Sequence, residues 1–246
     1  NSINTTLKLC MVYGRGQAEK MKYKLIKSNR YNALTRVISK ANSINNISGD
    51  NYTFGEEENG YFVALSDGMG IGSKANAESS IAINLLESFL EANFDKALAL
   101  RTINSILRLK SNEEIFATLD ISLMDLCTGK LQIIKSGSSA TFIKKKDKVK
   151  VINPNSLPVG ILEDVDFNTY EEYLEDGDIV IMMSDGVLEA NENALNKEKW
   201  IKNIIEDIDS VNPTTIAQSI LNKVAEQPNS GKDDMTILVT KIWKTV

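Results

Sequence analysis

Two spacings of apolar residues divide the chain. Over 31–40 and 61–66 apolar positions alternate with polar ones or run together, which predicts strands; the second, YFVALS, lies between Asn59-Gly60 and Asp67-Gly68. Over 73–93 the spacing becomes helical, with Ala75, Ala82, Leu85, Leu86 and Phe89 on one face. Glu78 and Ser79 interrupt that face, and Ser73 is the expected N-cap. A second helix is predicted over 94–109, carrying Leu98, Ile103, Ile106 and Leu107. From Ala117 the period returns to two. ATLDISLMDL and LQIIKSG flank a Cys127-Thr128-Gly129-Lys130 turn as one hairpin, and ATFIKKK and KVKVI form another around Asp147. Segments 167–174 and 178–183 read as the next strand pair around Glu175-Asp176-Gly177. Helices are predicted near 196–208 and 213–226, and a last strand over 235–243.

Strands, two helices, a run of strands, two helices and a final strand predict an α+β protein rather than alternating βαβ units. The expected architecture is a four-layer α-β-β-α sandwich, two antiparallel sheets packed face to face and flanked by helices. Residues 31–246 read as one domain. Residues 1–30 read as an extension with an apolar stretch at Leu7, a turn signal at Gly14-Arg15-Gly16 and a basic amphipathic tail.

Composition narrows the chemistry. With 42% hydrophobic and 25% charged residues among 246, the chain has a globular profile. Its net charge of -5, with both signs interspersed, argues against a nucleic-acid footprint. The Lys144-Lys145-Lys146 run reads as a solvated hairpin end. Cys10 and Cys127 lie among apolar neighbours and read as buried thiols in a reducing compartment. No stretch approaches the ~20 apolar residues that cross a bilayer, and no signal peptide is visible. The chain begins at Asn1, so it reads as a fragment, with room for an anchor upstream. The sequence contains 0 histidines, which excludes Ser-His-Asp triads, Cys-His pairs and His-ligated zinc in their usual forms.

What remains are aspartates at strand ends: Ser48-Gly49-Asp50, Ser66-Asp67-Gly68-Met69-Gly70, Ser184-Asp185-Gly186 and Gly231-Lys232-Asp233-Asp234. Taken singly, each is ordinary turn chemistry. Asp67 and Asp185, however, follow strands apolar enough to be central in a sheet, which delivers carboxylates to the rim of the core. Two carboxylates 4 Å apart repel by about 4 kcal/mol at an effective dielectric of ~20. Several together require a cation or a proton, and all-oxygen ligands select hard cations such as Mg²⁺, Mn²⁺ or Ca²⁺. The glycines of Gly68-Met69-Gly70-Ile71-Gly72 invite a nucleotide-binding alternative, but they run G-x-G-x-G and lack the spacing of a phosphate loop.

In this order, the motifs SGDNY, LSDGMGIGSKA, TINSIL, TLDISLMDL, LPVGI, IMMSDGV and DDMT resemble the protein phosphatase 2C-type metal-dependent phosphatases, and more narrowly the stage II sporulation protein E family. The resemblance spans about 31–243 and makes residues 1–30 the end of an upstream regulatory region. It implies a two-metal Mn²⁺ or Mg²⁺ site in which Asp67 bridges the ions and the carbonyl of Gly68 binds one. Asp185 and Asp233 complete the other, and Asp50 holds metal-bound water; Asp234 either belongs to this set or only caps the last strand. It further implies a phosphoserine phosphatase whose metal-activated hydroxide attacks an anti-sigma-factor antagonist during sporulation, releasing a sigma factor. The implied setting is the cytoplasmic part of a membrane-anchored bacterial protein, and a homodimer is allowed. The helix over 73–93 and its neighbour would regulate the site by shifting.

Two departures accompany the resemblance. Met69 stands where animal members carry a histidine, so slow turnover is expected. Arg30 and Arg36 occupy the stretch of the family's phosphate-binding arginine but read as solvated surface residues. Segments 137–139 and 158–160 read as loops near the site. The alternatives are a catalytically silent docking domain of the same fold, and a metal-dependent hydrolase of small phosphate esters.

Overall fold

A computed structural model describes residues 7–12, 22–42, 46–58, 60–70, 72–92, 94–109, 116–153, 157–161 and 167–245. The strands are β1 (Leu7–Val12), β2 (Lys22–Lys27), β3 (Tyr31–Lys40), β4 (Asp50–Glu57) and β5 (Gly60–Asp67). Helices α1 (Ser73–Glu91) and α2 (Lys96–Leu109) follow. Then come β6 (Leu119–Asp125), β7 (Lys130–Ser136), β8 (Thr141–Lys145), β9 (Lys148–Ile152), β10 (Asn168–Tyr173) and β11 (Ile179–Met183). Helices α3 (Asp185–Glu189), α4 (Lys197–Glu206) and α5 (Pro213–Ala225) precede β12 (Met235–Lys244).

Two five-stranded sheets form the body, in the orders β10-β7-β6-β5-β4 and β3-β12-β11-β8-β9, every neighbour antiparallel. Alternation along each central strand assigns its side chains to two different cores. In β5, Tyr61, Val63 and Leu65 pack between the sheets with Val180 and Met182 of β11. Phe62 and Ala64 of β5 turn outward onto Ile83 and Leu86 of α1 and Ile103 of α2. Ile179, Ile181 and Met183 of β11 turn outward onto Ile201 of α4 and Ile216 and Ile220 of α5. This is the four-layer sandwich expected, and it explains why β11 is apolar throughout and β5 is apolar from Tyr61 to Leu65. Asn196 and Asn212 cap α4 and α5 by accepting from the amides of Lys199 and Thr214, and Pro213 occupies the first turn of α5.

Several expectations are corrected. Segments 167–174 and 178–183 do give β10 and β11, but these lie in different sheets: β10 pairs with β7, and β11 lies between β8 and β12. Strand β4 was not anticipated, because DNYTFGEE is a polar edge strand with little alternation to read. Ser73 begins α1 but does not cap it; Gly72 holds that place without a side-chain bond. Within residues 1–30, β1 and β2 form an antiparallel hairpin, while the Gly14-Arg15-Gly16 signal and the Cys10 side chain lie outside the described residues. Cys127 is half-buried. Lys144 is not simply solvated: its ammonium donates to the carbonyls of Ile205 (2.7 Å), in the last turn of α4, and Ile208 (2.6 Å), just beyond it. Among the described residues no helix is long and apolar enough to cross a membrane.

Candidate metal centre

The ends of four strands converge at one edge of the sandwich. Asp50 opens β4 and Asp67 closes β5, and the two are direct partners in the antiparallel register, so their side chains share a face. In the other sheet, Asp185 follows β11 and Asp233 precedes β12. Those two are drawn together by Ser184, whose amide donates to the carbonyl of Thr236 (3.0 Å) while its hydroxyl accepts from the amide of Thr236 (2.9 Å). Asp67, Gly68, Asp185 and Asp233 then line a single cleft of about 270 Å³, with Met69, Thr118, Gly137 and Pro158. Asp50 lies buried behind it at 6% exposure.

The glycines beside these aspartates are there for close approach. A Cβ on Gly68 would lie 1.9 Å from the carbonyl oxygen of Ala75 in α1, and one on Gly186 would lie 2.2 Å from the carbonyl oxygen of Asp234. Each Asp-Gly therefore lets a helix press its backbone against the strand end that carries the carboxylate. Thr118 fixes Asp67 from the other side: its hydroxyl accepts from the Asp67 amide (2.9 Å), and its own amide donates to the Asp67 carbonyl (2.8 Å).

Electrostatics at this cleft are those of a site short of positive charge. Burial pushes Asp67 up to about 9, helped by the charges of Asp50, Asp185 and Asp233, and its carboxyl shares a hydrogen bond with Asp185. Asp50 is pushed up to about 7, again chiefly by burial, with the hydroxyls of Thr236 and Ser184 opposing the rise. Neither Asp50 oxygen has a well-formed hydrogen bond among the described residues. Burial and the charge of Asp233 raise Asp185 as well. No Lys or Arg is among the described residues lining the cleft. Arg36 donates instead to the carbonyl of Thr35 (3.2 Å), and Arg30 lies over the ring of Tyr31 (5.8 Å).

Orphaned buried carboxylate oxygens and an all-oxygen donor set fit a hard divalent cation. Among the described residues, no three acidic groups stand as a finished cage, and the carboxyls of Asp67 and Asp185 share a hydrogen bond.

Asp234 does not join the set. It is 3% exposed, and its two oxygens accept from the amides of Asn42 and Gly49, both at 2.7 Å. It anchors the two ends of the connection from β3 to β4 and so holds Asp50 in place. Sequence reading left its role open; the doublet Asp233-Asp234 was the available signal. The clamps made by Thr118, Ser184 and Thr236 were missed, since a hydroxyl bonded to a distant backbone leaves no local pattern.

Comparison with known proteins gives the family and the fold. Residues 57–243 match the family described as Stage II sporulation protein E. Stage II sporulation protein E of Bacillus subtilis (strain 168) is 39% identical over 199 residues, 80% of this chain; the chain spans only 24% of that protein's length. Phosphoserine phosphatase RsbU of the same organism is 22% identical over 199 residues, 79% of this chain and 59% of its own length. The solved PP2C phosphatase domain of Bacillus subtilis SpoIIE, with a fragment of its regulatory domain, superposes with a TM-score of 0.87 at 32% identity, covering 99% of this chain and 72% of that one. Relatives of the PP2C phosphatase type imply dependence on a divalent metal. The two-sheet sandwich is thus the PP2C fold, and the chain belongs to the stage II sporulation protein E family.

Proposed function

We propose that this chain is the catalytic domain of a divalent-metal-dependent protein phosphatase that hydrolyses phosphoserine. The observation that carries the reading is the set of strand-end carboxylates around one cleft, where burial and, after it, their mutual repulsion push Asp67 to about 9. Asp67, Asp185, Asp233 and the carbonyl of Gly68 would hold two cations, Mn²⁺ or Mg²⁺, and Asp50 would bond their water from behind. Bound there, the cations supply Lewis acidity toward phosphoryl oxygens and make water a nucleophile near neutral pH.

The residues of the chain supply the rest. With cations bound, Asp67 and Asp185 would both be ionised and would form a fixed anionic frame around the site of the attacking water. The clamps at Thr118, Ser184 and Asp234 keep that frame rigid, which is how preorganised charge lowers a barrier. No Lys or Arg is among the described residues lining the cleft, so bound cations would supply charge to offset that of the phosphoryl group. Met69, exposed at the rim, cannot donate a proton to the leaving serine oxygen, which leaves that role to water or to another group. Uncatalysed monoester hydrolysis is slow enough that enzymes accelerate it by up to ~10²¹-fold, whereas a lone general base gives about 10²–10⁴-fold. The carboxylates therefore act through the metals they hold.

The substrate supported by kinship is a serine-phosphorylated anti-sigma-factor antagonist, since one relative is a phosphoserine phosphatase and the family is named for sporulation. Residues 1–30, with their hairpin, belong on this reading to an upstream regulatory region that carries the membrane anchor. The test is release of phosphate from such a phosphoprotein against release from small phosphate esters, with and without Mn²⁺. Preference for the small esters would overturn the substrate assignment, and binding without turnover would favour a docking domain.

A further inference from the structure

Beneath the wall of the cleft lies a charged pair that the proposed chemistry does not use. Lys135, near the end of β7, is 0% exposed, and Asp120 of β6, its partner in the strand register, is 1% exposed. The Lys135 ammonium lies 2.6 Å from Asp120 Oδ2, and the Thr141 hydroxyl donates to the same oxygen at 2.7 Å. A second strong bond runs from the ammonium to the carbonyl of Ser139 at 2.6 Å, with a longer one to the Ser138 hydroxyl at 3.5 Å. Burial lowers the pKa of this lysine and Asp120 opposes the drop.

The carbonyl bond matters because of where it lands. Gly137 lines the cleft, and with Ser138 and Ser139 it also lines a small pocket that shares Asp67, Thr118 and Asp185 with the cleft. Gly137 turns the chain at φ 62°, and a Cβ there would strike Pro158 at 2.4 Å, so the same turn also seats the second wall loop. Replacing a buried ion pair by neutral groups is often stabilising, so stability alone does not account for the pair.

The geometry points to Lys135 as a positioning residue: its buried ammonium, charge-balanced by Asp120, pins the 137–139 segment as a fixed wall beside Asp67 and Asp185. This rests on the phosphatase reading for its effect on rate, but not for its effect on the loop. A misplacement of about 1 Å in such a wall costs a rate factor of roughly 10².

The test compares wild type, Lys135→Met and the charge-neutral double variant Lys135→Met with Asp120→Asn. Each is followed by thermal melting, by amide exchange at residues 137–140, and by kcat and KM on a phosphoserine protein with Mn²⁺. The single variant strands Asp120 and is expected to be the least stable, so the double variant carries the test. Its melting temperature is expected to recover toward wild type while exchange at 137–140 speeds at least ~10-fold, exchange in β11 stays unchanged, and kcat falls roughly 100-fold at little change in KM. A double variant that recovers wild-type exchange and kcat together with stability overturns the proposal, as does faster loop exchange with unchanged kcat. If wild type itself releases no phosphate, the phosphatase reading fails, and loop exchange alone decides whether Lys135 pins the wall.

Discussion

Asp233 and Asp234 are neighbours of identical chemistry in different surroundings: Asp233 lines the cleft, with one oxygen accepting from the Asp234 amide (2.8 Å), while Asp234 is turned into the fold. Asp234 has two backbone amides at 2.7 Å, so its charge is already answered. Asp67 and Asp185 meet other carboxylates instead. Asp234→Ala is therefore expected to cost about 1–3 kcal/mol in denaturant unfolding, because two buried amides lose their acceptor. Asp185→Asn removes one of several repelling charges and is expected to leave metal-free stability equal or higher in the same measurement. Equal losses for both would contradict this division. Gly68→Ala puts a methyl group on the backbone of Ala75, where no side-chain rotation relieves the contact. The expected result is a severely destabilised protein, read as loss of the cooperative melting transition.

Among the elements, the central strands and long helices were legible because burial on one or both faces writes itself into the residue pattern. Both sheets and four of the helices could be read that way. Pairing could not: β10 and β11 flank a clear turn signal yet enter different sheets, a choice made by contacts remote in sequence. The polar edge strand β4 and the five-residue α3 were invisible for lack of periodicity. Asp67 and Asp185 were legible as rim carboxylates from the apolar strands before them, whereas Asp50 and Asp233 read as turn residues until the order of motifs suggested a family, and Asp50 became a partner of Asp67 only through the register of the unread strand.

These elements also couple the helical layer to the site. On α1, Asn76 donates to the carbonyl of Ser48 (2.7 Å), and Ser79 bonds the carbonyl of Gly49. On α2, the buried Asn104 accepts from the amide of Gly160 (2.8 Å), beside the bridge from Val159 through Ala117 to Gly68. Asn104→Ala is expected to raise amide exchange at residues 159 and 160 selectively, by freeing a buried amide from its partner. Unchanged exchange there would show that α2 is not tied to the cleft through this side chain. A regulatory shift of the helix pair would act through these bonds, and identical helix positions in active and inactive forms would contradict it.

For the whole molecule, the carboxylate edge makes stability depend on pH in an unusual direction. Asp67 sits at about 9 in the folded chain against an ordinary value of 3.8, so the folded state holds more protons than the unfolded one between those limits. Stability of the metal-free protein should then fall as pH rises from about 4 to about 9, with no contribution from this group below that window. Added Mn²⁺ should reverse the loss and release protons on binding. Thermal melts across pH, with and without metal, check the sign; metal-free stability that rises from pH 5 to 8 would contradict it.

The central claim is that these carboxylates serve a metal-dependent phosphatase. Its most direct test is hydrolysis of a serine-phosphorylated anti-sigma-factor antagonist by wild type and Asp185→Asn, with and without Mn²⁺. The account requires phosphate release that depends on Mn²⁺ and is lost in the folded variant. Release that persists without any divalent metal, or that survives Asp185→Asn undiminished, would contradict it.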